Sequence, residues 1–568
     1  MQTLTPTWNL SDTATTKWYV RLFPSLNDIA FLLPIIVLFA KMNGTKLLFS
    51  DGDTGWHIRT GEWILAHHAV PKVDLFSFTK PNDAWFAWEW AWDLVFATIH
   101  RFAGLSGVGF ITTLILGLFA VLVYRLALRV SHNNVISMAV TVLTAAVSSI
   151  HWLARPHLLS WIFTLLFLNS IESAQLGQRR SLYFLPLLMA VWVNVHGGFV
   201  AGLLILGCYA IGEALTAWFA NESHDFQTIL RSCWQRSEAY WQTLALCVIA
   251  TFVNPYGWQL HKHIYSYLTD SELLDKIQEF QSISFHAGPA VLFELMLVLA
   301  AFVVFAKLHA RSFSPVLLLC LWAHYALLSA RHIPIFMMVA APFVAALLAD
   351  SLTHARAIPA LSPLAETISD ICNDLRNMES TGRLHIVSAA AVLLIAALFA
   401  AGQTPFEPQF NSENFPGQVI PILERNSVRR VFTTDQWADY LLYRLPGQRV
   451  FFDGRSDFYG NEFVKVNQRI ASAEHDWKSL LMRFDINLVV LKPELPLAAV
   501  LKLTPGSKVL FDDGKAIVFD ITALYQPLSG SGNTAKRAAS FSQTMQLAPE
   551  GVVTTPKHSS NSQKGKLS

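Results

Sequence analysis

Long apolar runs separated by short polar turns dominate the chain up to residue 403. A helix that crosses a bilayer rises about 1.5 Å per residue through a hydrocarbon core about 30 Å thick, so it needs roughly 17–25 mostly apolar residues. Runs of about this length lie at 27–49, 106–128, 134–153, 157–174, 181–195, 199–219, 240–254, 288–306, 313–330, 333–350 and 385–402. The pattern predicts a mainly α-helical, polytopic transmembrane bundle with about 11 spans.

The lysines and arginines of the loops predict which way these helices run. Loops on the cytoplasmic side of a membrane carry the excess of Lys and Arg. If the N-terminus is cytoplasmic, the inner connections hold Lys17 and Arg21, Arg125 and Arg129, Arg179 and Arg180, Arg231 and Arg236, Lys307 and Arg311, and Arg356, Arg376 and Arg383. The outer turns then hold one basic residue or none, and the chain beyond about residue 403 lies outside.

One apolar segment, 85–103 (WFAWEWAWDLVFATIHRFA), also carries charged residues. At helical spacing its apolar side holds Trp85, Trp88, Trp92, Phe96 and Ile99, and its polar side holds Glu89, Asp93 and His100. Tryptophan prefers the membrane–water interface, so the segment is predicted to be a helix that lies in that interface. Counting it as a span would place Arg125 and Arg129 outside and reverse the charge pattern downstream.

Composition divides the chain into four parts. These are a cytoplasmic N-terminus (1–26), a transmembrane domain (27–403) with a large first outer loop at 50–105, an extracytoplasmic domain (404–525) and a tail (526–568). In the third part, candidate strands at 429–434, 449–454, 486–492, 508–512 and 516–521 alternate with helical stretches near 417–426, 436–444, 460–472 and 474–483. That alternation predicts a small α/β domain with a partly parallel sheet. The tail is rich in Ser, Thr, Lys and Gly, which predicts disorder.

Composition and charge narrow the functional classes. Of the 568 residues, 53% are hydrophobic and only 14% charged, whereas soluble domains are nearer a quarter charged. The net charge of +2 gives no electrostatic case for nucleic acid as a partner. The five cysteines show no metal-ligand spacing, which argues against a zinc site or a disulfide framework. The sequence has no Walker loop, GxGxxG, HExxH or nucleophile elbow, so ATP-driven transport has no support.

Polar and ionisable residues occur where the predicted helices reach the outer side. They are Asp51, Asp53, His57, Arg59 and Glu62 in the first loop, Glu89 in the interfacial helix, and Arg155, His157, Asn194, His196, Asn254, Arg331 and His332 in later turns. Ionisable residues near a bilayer are costly and are usually retained for a task. We therefore expect these side chains to converge in one cavity on the outer face.

The first two acidic residues have two interpretations. Asp51 and Asp53 follow the first span directly and could simply cap the next helix or solvate the loop, since Asp is a favoured capping residue. Alternatively, two carboxylates at this spacing could share a divalent cation, or one could act as a general base toward a hydroxyl group. Their position in a Trp-rich loop directly after a span favours a functional role.

Glu89 and Asp93 stand one helical turn apart and could form a second acidic site. Such residues are more often the water-facing side of an interfacial helix. His196 precedes two glycines and could either extend into the cavity or serve as a hydrogen-bonded turn residue. His261 and His263 do not share a helix face and are not predicted to form a metal pair.

Four basic residues are candidates for binding a lipid phosphate: Arg155, His157, Arg331 and His332. The arginine fork matches the geometry of phosphate oxygens. The same residues could equally anchor helix ends by extending to lipid headgroups.

The segment FFDGRSDFYG (451–460) places Asp453, Arg455 and Asp457 just after a predicted strand. Residues at that position often contact ligands in α/β sheets. An internal Arg–Asp salt bridge that holds the loop is the favoured interpretation.

The layout resembles that of the GT-C superfamily of glycosyltransferases, which use lipid-phosphate-linked sugars. Those enzymes have many spans, a large first outer loop with interfacial helices, and often a soluble C-terminal domain outside. Their first loop begins with acidic residues directly after the first span, matched here by Asp51 and Asp53. The segments DGDTGWHIRTGEWILAHHAVPKVDLFSFT, HGGF, ADYLLYR and DGRSDFYG are also similar to a group of bacterial membrane proteins with this layout, and the resemblance covers most of residues 20–525.

The resemblance implies transfer of a sugar from a polyprenyl-phosphate donor to a glycan, lipid or protein acceptor at the outer face of the bacterial plasma membrane. It implies that Asp51 or Asp53 is the catalytic base and that both could hold Mg²⁺ or Mn²⁺. The candidate substrate-binding residues come from the side chains expected to converge on the outer face, and they are His57, Arg59, Glu89, Arg155, His157, His196, Arg331 and His332. A non-catalytic envelope or assembly protein on a GT-C-like scaffold is the alternative. A lipid or solute transporter is disfavoured, because the charges do not lie in mid-span and the two halves are not related.

Overall fold

Helices make up most of the structure, a computed structural model that describes residues 18–286, 288, 290–379, 382–426 and 429–525. The predicted disordered tail and residues 1–17 lie outside this range. The first helices are α1 (Leu26–Lys41), α2 (Thr45–Leu48), α3 (Asp53–His67), α4 (Trp90–Ser131), α5 (Asn134–Ser148), α6 (His157–Gln175), α7 (Leu185–Trp192) and α8 (Val200–Ala220). There follow α9 (Phe226–Ala250), α10 (Trp258–Thr269), α11 (Ser271–Leu274), α12 (Ala290–His309), α13 (Phe313–Leu328), α14 (Ile333–Ala355), α15 (Ser362–Glu379) and α16 (Ile386–Ala401).

The C-terminal part mixes helices and strands. It contains α17 (Ile420–Glu424), β1 (Val431–Phe432), α18 (Asp435–Arg444), α19 (Ser456–Ala471), α20 (Trp477–Arg483), β2 (Leu488–Leu491), α21 (Pro496–Leu503), β3 (Lys508–Asp512) and β4 (Ile517–Asp520). Short 3-10 helices span Trp18–Leu22, Ser149–His151, Arg179–Phe184, Gly197–Phe199, Gln278–Phe280, Ala330–His332, Gly417–Val419 and Thr522–Tyr525.

Among the described residues, six helical segments are long and apolar enough to cross a membrane by length and composition alone. They are Tyr19–Lys41, Trp90–Ser131, Asn134–His151, Gly197–Ala220, Ala290–His309 and Ala330–Ala355, and the helices α13 and α16 are apolar but shorter. Helices α6, α7 and α9 occupy the remaining predicted spans. The structure is therefore that of a mainly α-helical, multi-pass membrane protein with a small α/β region at its C-terminal end.

The predicted first span, 27–49, is divided in two. Helix α1 ends at Lys41, and Asn43 and Gly44 then adopt positive φ angles of 63° and 58° before α2 begins. The break lets the chain meet the linker that follows α16, where the backbone N–H of Thr45 donates to the carbonyl oxygen of Pro405 (3.1 Å). A Cβ atom on Gly44 would overlap that same carbonyl oxygen.

Arginines predicted to face the cytoplasm link neighbouring loops through backbone carbonyl oxygens. The contacts run from Arg129 to Asn169, from Arg311 to Phe219, from Arg376 to His132 and from Arg383 to Val20. After Gly104, α4 rises about 1.5 Å per residue. The C-terminal end of α4 therefore lies about 40 Å along the helix from the end that adjoins the first loop.

Helix α4 changes direction at Gly104, whose φ of 58° and ψ of −158° lie outside the helical region. The preceding part, from Trp90, corresponds to the predicted interfacial helix, and the following part is the predicted span 106–128. The expectation that Glu89 and Asp93 form a water-facing side was wrong, because both residues are buried. Helix α3 packs along this part of α4 and covers it.

The C-terminal sheet has the strand order β1-β2-β4-β3. Strands β1 and β2 are parallel, with Val431 opposite Leu488, whereas β4 pairs antiparallel with both β2 and β3. The partly parallel sheet predicted from the alternating pattern is thus present. The stretch 449–454 was predicted to be a strand but forms only isolated bridges at Val450, and helix α21 was not foreseen.

Glycines let α3 pack tightly between α4 and α18. A Cβ atom on Gly55 would lie 2.5 Å from the carbonyl oxygen of Asp439 on α18, and one on Gly61 would overlap the carbonyl oxygen of Asp93 on α4. Side chains at these positions would push the neighbouring backbones apart. The glycine spacing in DGDTGWHIRTGEW therefore sets how closely the first loop approaches both neighbours.

The first loop also pairs with the C-terminal region through the backbone. Phe78 N–H donates to the carbonyl oxygen of Val450 (3.1 Å), and Val450 N–H donates to the carbonyl oxygen of Phe76 (3.0 Å). These two hydrogen bonds attach the first loop beside β1, because Val450 also bridges Val431.

Arg455 fixes the same junction from the C-terminal side. Its guanidinium donates to Asp74 of the first loop (2.7 Å) and to Asp453 (2.7 Å), and all three side chains are at most 1% exposed. Its charge also lies 4.5–4.9 Å from the ring centroids of Phe76, Trp85 and Phe458. The Arg–Asp salt bridge expected within FFDGRSDFYG is confirmed, and it extends to the first loop.

We expect Arg455→Met to lower the free energy of unfolding by about 3–5 kcal/mol, because it leaves two buried carboxylates without their partner. Arg429→Met is the matched control. Arg429 pairs with Asp520 at a partly exposed position, so its loss should cost at most about 1 kcal/mol. Denaturant unfolding of the detergent-purified variants, followed by Trp fluorescence, measures both. Equal losses would contradict the structural role of Arg455.

Replacing Gly61 by Ala should cost about 1–3 kcal/mol, since the added methyl group forces α3 away from α4. Gly207→Ala in α8 is the control, because no atom outside the adjoining backbone of α8 lies within 4 Å of a Cβ there. The same unfolding measurement compares the two variants. A Gly61→Ala protein as stable as Gly207→Ala would show that the close approach is not required.

Candidate active site

Asp51 and Asp53 lie where the chain enters α3. Asp51 Oδ1 accepts a hydrogen bond from the backbone N–H of Asp53 (2.9 Å), the first residue of α3, but the N-cap position belongs to Gly52 and has no side-chain capping hydrogen bond. The N–H of Gly52 between them donates to Gln436 Oε1 on α18 (2.7 Å). The acidic turn is thereby held against the C-terminal region.

Arg155 gathers three carboxylates from separate parts of the chain. Its guanidinium lies 3.0 Å from Asp51 Oδ2 and 2.7 Å from Asp53 Oδ2, and it also pairs with Glu279. Burial on its own would lower the pKa of Arg155, but the adjacent Asp51 and Asp53 carboxylates raise that pKa well above its ordinary value. The guanidinium is thus permanently charged.

Backbone contacts fix the turn that carries Arg155. Ala154 N–H donates to the carbonyl oxygen of Leu48 (2.9 Å), and Thr54 Oγ1 donates to the carbonyl oxygen of Ala154 (3.0 Å). The turn between α5 and α6 is therefore attached to the N-terminal end of α3.

Glu279 connects this cluster to Arg331. Its second carboxylate oxygen lies 3.4 Å from the Arg331 guanidinium, which also stacks 4.5 Å from the centroid of Phe280. The hydroxyl of Ser329 donates to the carbonyl oxygen of Glu279 (2.9 Å) and holds the two turns together. Burial alone would raise the pKa of Glu279, but Arg155 and Arg331 lower it below its ordinary value.

A carboxyl pair joins α3 to α18. A Cβ atom on Gly454 would lie 2.5 Å from Asp53 Oδ1 and 2.6 Å from Asp439 Oδ2, so the two carboxyl groups flank this glycine. Gly454 N–H donates to Asp439 (3.1 and 3.2 Å). Burial raises the pKa of Asp53 to about 7 in spite of Arg155, and burial also raises the pKa of Asp439. Both carboxyl groups therefore hold a proton more readily than an exposed aspartate does.

A second group of ionisable residues surrounds Glu89. His57 lies 2.6 Å from Asp93 through Nδ1 and 3.6 Å from Glu89 through Nε2, and Glu89 also lies 3.5 Å from His196 Nε2. Burial raises the pKa of Glu89 to about 8 and lowers the pKa of His196 to about 3. His196 Nδ1 accepts a hydrogen bond from Gly198 N–H (3.0 Å), so His196 serves as a hydrogen-bonded turn residue.

Arg59 does not join these clusters. Its Nε donates to the carbonyl oxygen of Leu442 (3.1 Å), and its guanidinium also contacts the carbonyl oxygen of Tyr443 and the carboxylate of Glu62. These contacts link α3 to α18 on another side of the helix. In this structure Arg59 is therefore placed to hold the two helices together.

His157 and His332 are the remaining histidines among the predicted site residues. His157 Nε2 contacts the carbonyl oxygen of His151 (2.8 Å), and the His332 ring lies 5.4 Å from the ring of Tyr325. His261 contacts Thr251, whereas His263 contacts Asp457.

The arrangement does not fit a divalent cation at Asp51 and Asp53. Both carboxylates are paired with Arg155, and a second cation between them would lie beside its guanidinium. No group of three or more His, Cys, Asp or Glu side chains in the described part of the chain is placed to hold a metal ion.

Two acidic residues of the site were missed from the sequence. Glu279 lies in the connection between α9 and α12, which also contains Asp270, Glu272 and Asp275, and no spacing relates it to Asp53. Asp439 lies within ADYLLYR, in the predicted helical stretch 436–444, where no chemical role was expected for it. Both become visible only when folding brings Arg155 and Gly454 beside α3.

No protein-family model matches the chain, and the comparison with curated proteins found no match. Solved structures do match. The Archaeoglobus fulgidus oligosaccharyltransferase AglB, in complex with an inhibitory peptide and a dolichol-phosphate, is 13% identical with a TM-score of 0.53, over 89% of this chain and 74% of that one. The A. fulgidus enzyme tethered to an acceptor peptide with the NVT sequon is 13% identical with a TM-score of 0.53, over 90% of this chain and 75% of that one. ArnT from Cupriavidus metallidurans bound to undecaprenyl phosphate is 12% identical with a TM-score of 0.44, over 88% of this chain and 98% of that one.

At such low identity the likeness concerns the fold. The oligosaccharyltransferase is a membrane enzyme of the GT-C type, and the alignment spans most of both chains. The resemblance stated from the layout and from Asp51 and Asp53 is thereby confirmed at the level of the fold. The chain has a GT-C-like fold.

Proposed function

We propose that this protein is a membrane glycosyltransferase that moves a sugar from a polyprenyl-phosphate donor to a cell-envelope acceptor at the outer face of the bacterial plasma membrane. One observation carries the proposal: the Asp53 carboxyl group lies between a permanently charged arginine and a second carboxyl group from the C-terminal region. The GT-C-like fold supports it, because the similar archaeal enzyme was solved with a dolichol-phosphate and a peptide.

Asp53 is the better candidate for the base of the two acidic residues. Asp51 already accepts a hydrogen bond from the backbone of Asp53 and pairs with Arg155. Asp53, with a pKa of about 7, is partly ionised at neutral pH, which suits proton transfer in both directions. In the proposed reaction Asp53 takes the proton of an acceptor hydroxyl group as that oxygen attacks the anomeric carbon, and the configuration at this carbon inverts.

The phosphate of the donor leaves with the electron pair of the broken C–O bond. Arg331 and Arg155 lie on the side of Asp53 that faces Glu279, and Arg331 is the more exposed of the two arginines. An arginine fork can form two hydrogen bonds to phosphate oxygens, which supports their assignment as phosphate ligands. His157, whose ring feels the charge of Arg155, and His332, whose ring feels the charge of Arg331, would lie beside the phosphate.

The acceptor would enter from the C-terminal region. Helix α18 brings Asp439 against Asp53, so a hydroxyl group bound beside α18 would lie within reach of the base. Glu89, with His57 and His196, would contact the sugar or acceptor hydroxyl groups from the other side. A glycan, a lipid or a protein all fit this chemistry.

We expect Asp53→Asn to lower transfer about 10²–10⁴-fold, the usual contribution of a general base, while the protein is still inserted in membranes. Asp83→Asn is the control, because Asp83 is an exposed first-loop residue paired only with Lys80 in the described structure. The assay follows labelled sugar from polyprenyl-phosphate donors in membranes of overexpressing cells. A non-catalytic protein on this scaffold would give no transfer in any variant.

The pH profile gives a second readout for the same prediction. Because the pKa of Asp53 is raised to about 7, the residue loses its ability to accept a proton as the pH falls through that value. The transfer rate of the unaltered protein should therefore drop toward pH 5. A full rate at pH 5 would remove Asp53 as the base.

A further inference from the structure

Three carboxylates surround a single guanidinium in the centre of the site. Asp51 and Asp53 approach Arg155 from the start of α3, and Glu279 approaches from the 3-10 helix Gln278–Phe280. Carboxylates from separate segments commonly converge in this way on a divalent cation. Here the guanidinium occupies the position that such a cation would need.

The arginine is built into this position. The carbonyl oxygen and the N–H of the preceding residue, Ala154, are bonded to Thr54 and Leu48, so the turn cannot swing away without breaking contacts to α2 and α3. The Arg155 side chain is only 16% exposed. A divalent cation could enter only by displacing a buried charge from three partners.

The charge balance points the same way. Asp51, Asp53 and Glu279 carry at most three negative charges, and Arg155 and Arg331 already supply two positive charges within the same network. Little charge is left to attract a second cation.

We propose that Arg155 is the resident cation of this site and replaces a divalent metal ion in the reaction. The inference rests on the proposed function in one respect: the group that Arg155 would contact is the phosphate of the polyprenyl-phosphate donor. When the bond between the anomeric carbon and the donor phosphate breaks, the electron pair stays on the phosphate oxygen, and the guanidinium compensates its new charge. The proton of the acceptor goes to Asp53, so no metal-bound group takes part.

The test measures Mn²⁺ binding to the purified full-length protein by electron paramagnetic resonance, and sugar transfer before and after treatment with EDTA. The unaltered protein should bind Mn²⁺ only weakly, and its transfer rate should stay within about twofold in EDTA. Arg155→Gln removes the charge but leaves the three carboxylates. It should bind Mn²⁺ about a hundredfold more tightly or better, because a unit positive charge about 4 Å away is lost.

Two further variants control for charge and for general disruption. Arg155→Lys keeps the positive charge and should bind Mn²⁺ as weakly as the unaltered protein. Arg429→Gln removes an arginine from a carboxylate pair far along the chain and should change neither binding nor transfer. If Arg155→Gln is too unstable to purify, the unaltered protein and Arg155→Lys still decide the question.

Tight, stoichiometric Mn²⁺ binding by the unaltered protein, with loss of transfer in EDTA, would overturn the proposal. So would equal Mn²⁺ affinity in Arg155→Gln and Arg155→Lys. Failure of the proposed function can be told apart from failure of this inference. If no polyprenyl-phosphate donor supports transfer, the proposed function fails, but the Mn²⁺ affinities of the variants can still be compared.

Discussion

The buried ion pair between Arg455 and Asp74 is the interaction on which the rest of the structure depends. It joins the C-terminal region to the first loop, two segments more than 350 residues apart in the sequence, with both side chains at most 1% exposed. A buried guanidinium with its carboxylate partners cannot be separated without leaving unpaired charge in a medium of low polarity. The two segments must therefore lie in the same compartment.

That junction determines the chemistry of the site. Because Gly55 lets α3 touch α18, Asp53 comes to lie beside Asp439, and burial of the pair raises the pKa of Asp53. The positive charge of Arg155 opposes the rise in the pKa of Asp53 that burial causes, so Asp53 is not simply a neutral buried acid. One carboxyl group thus combines shielding from water with a proton affinity close to neutrality, which is the property that a base needs at physiological pH.

The sequence predicted the features that depend on local pattern. Hydrophobic run length predicted the helices, and the Trp-rich polarity of residues 85–103 predicted a separate helix before Gly104. It did not predict the burial of Asp93, because a two-sided helix pattern cannot reveal that α3 will cover the polar side. It also missed Glu279 and Asp439, whose roles depend on contacts between distant segments, and it assigned Arg59 to substrate although that side chain joins α3 to α18.

The central claim is that the first loop and the C-terminal region form one site on one side of the membrane. Cysteines introduced singly at the exposed positions His68, Asp513 and Glu366, in a protein without its native cysteines, test it directly by labelling with a membrane-impermeant maleimide. In intact spheroplasts, positions 68 and 513 should be labelled, and position 366 only after the membrane is opened. Labelling of 68 and 513 from opposite sides would contradict the account.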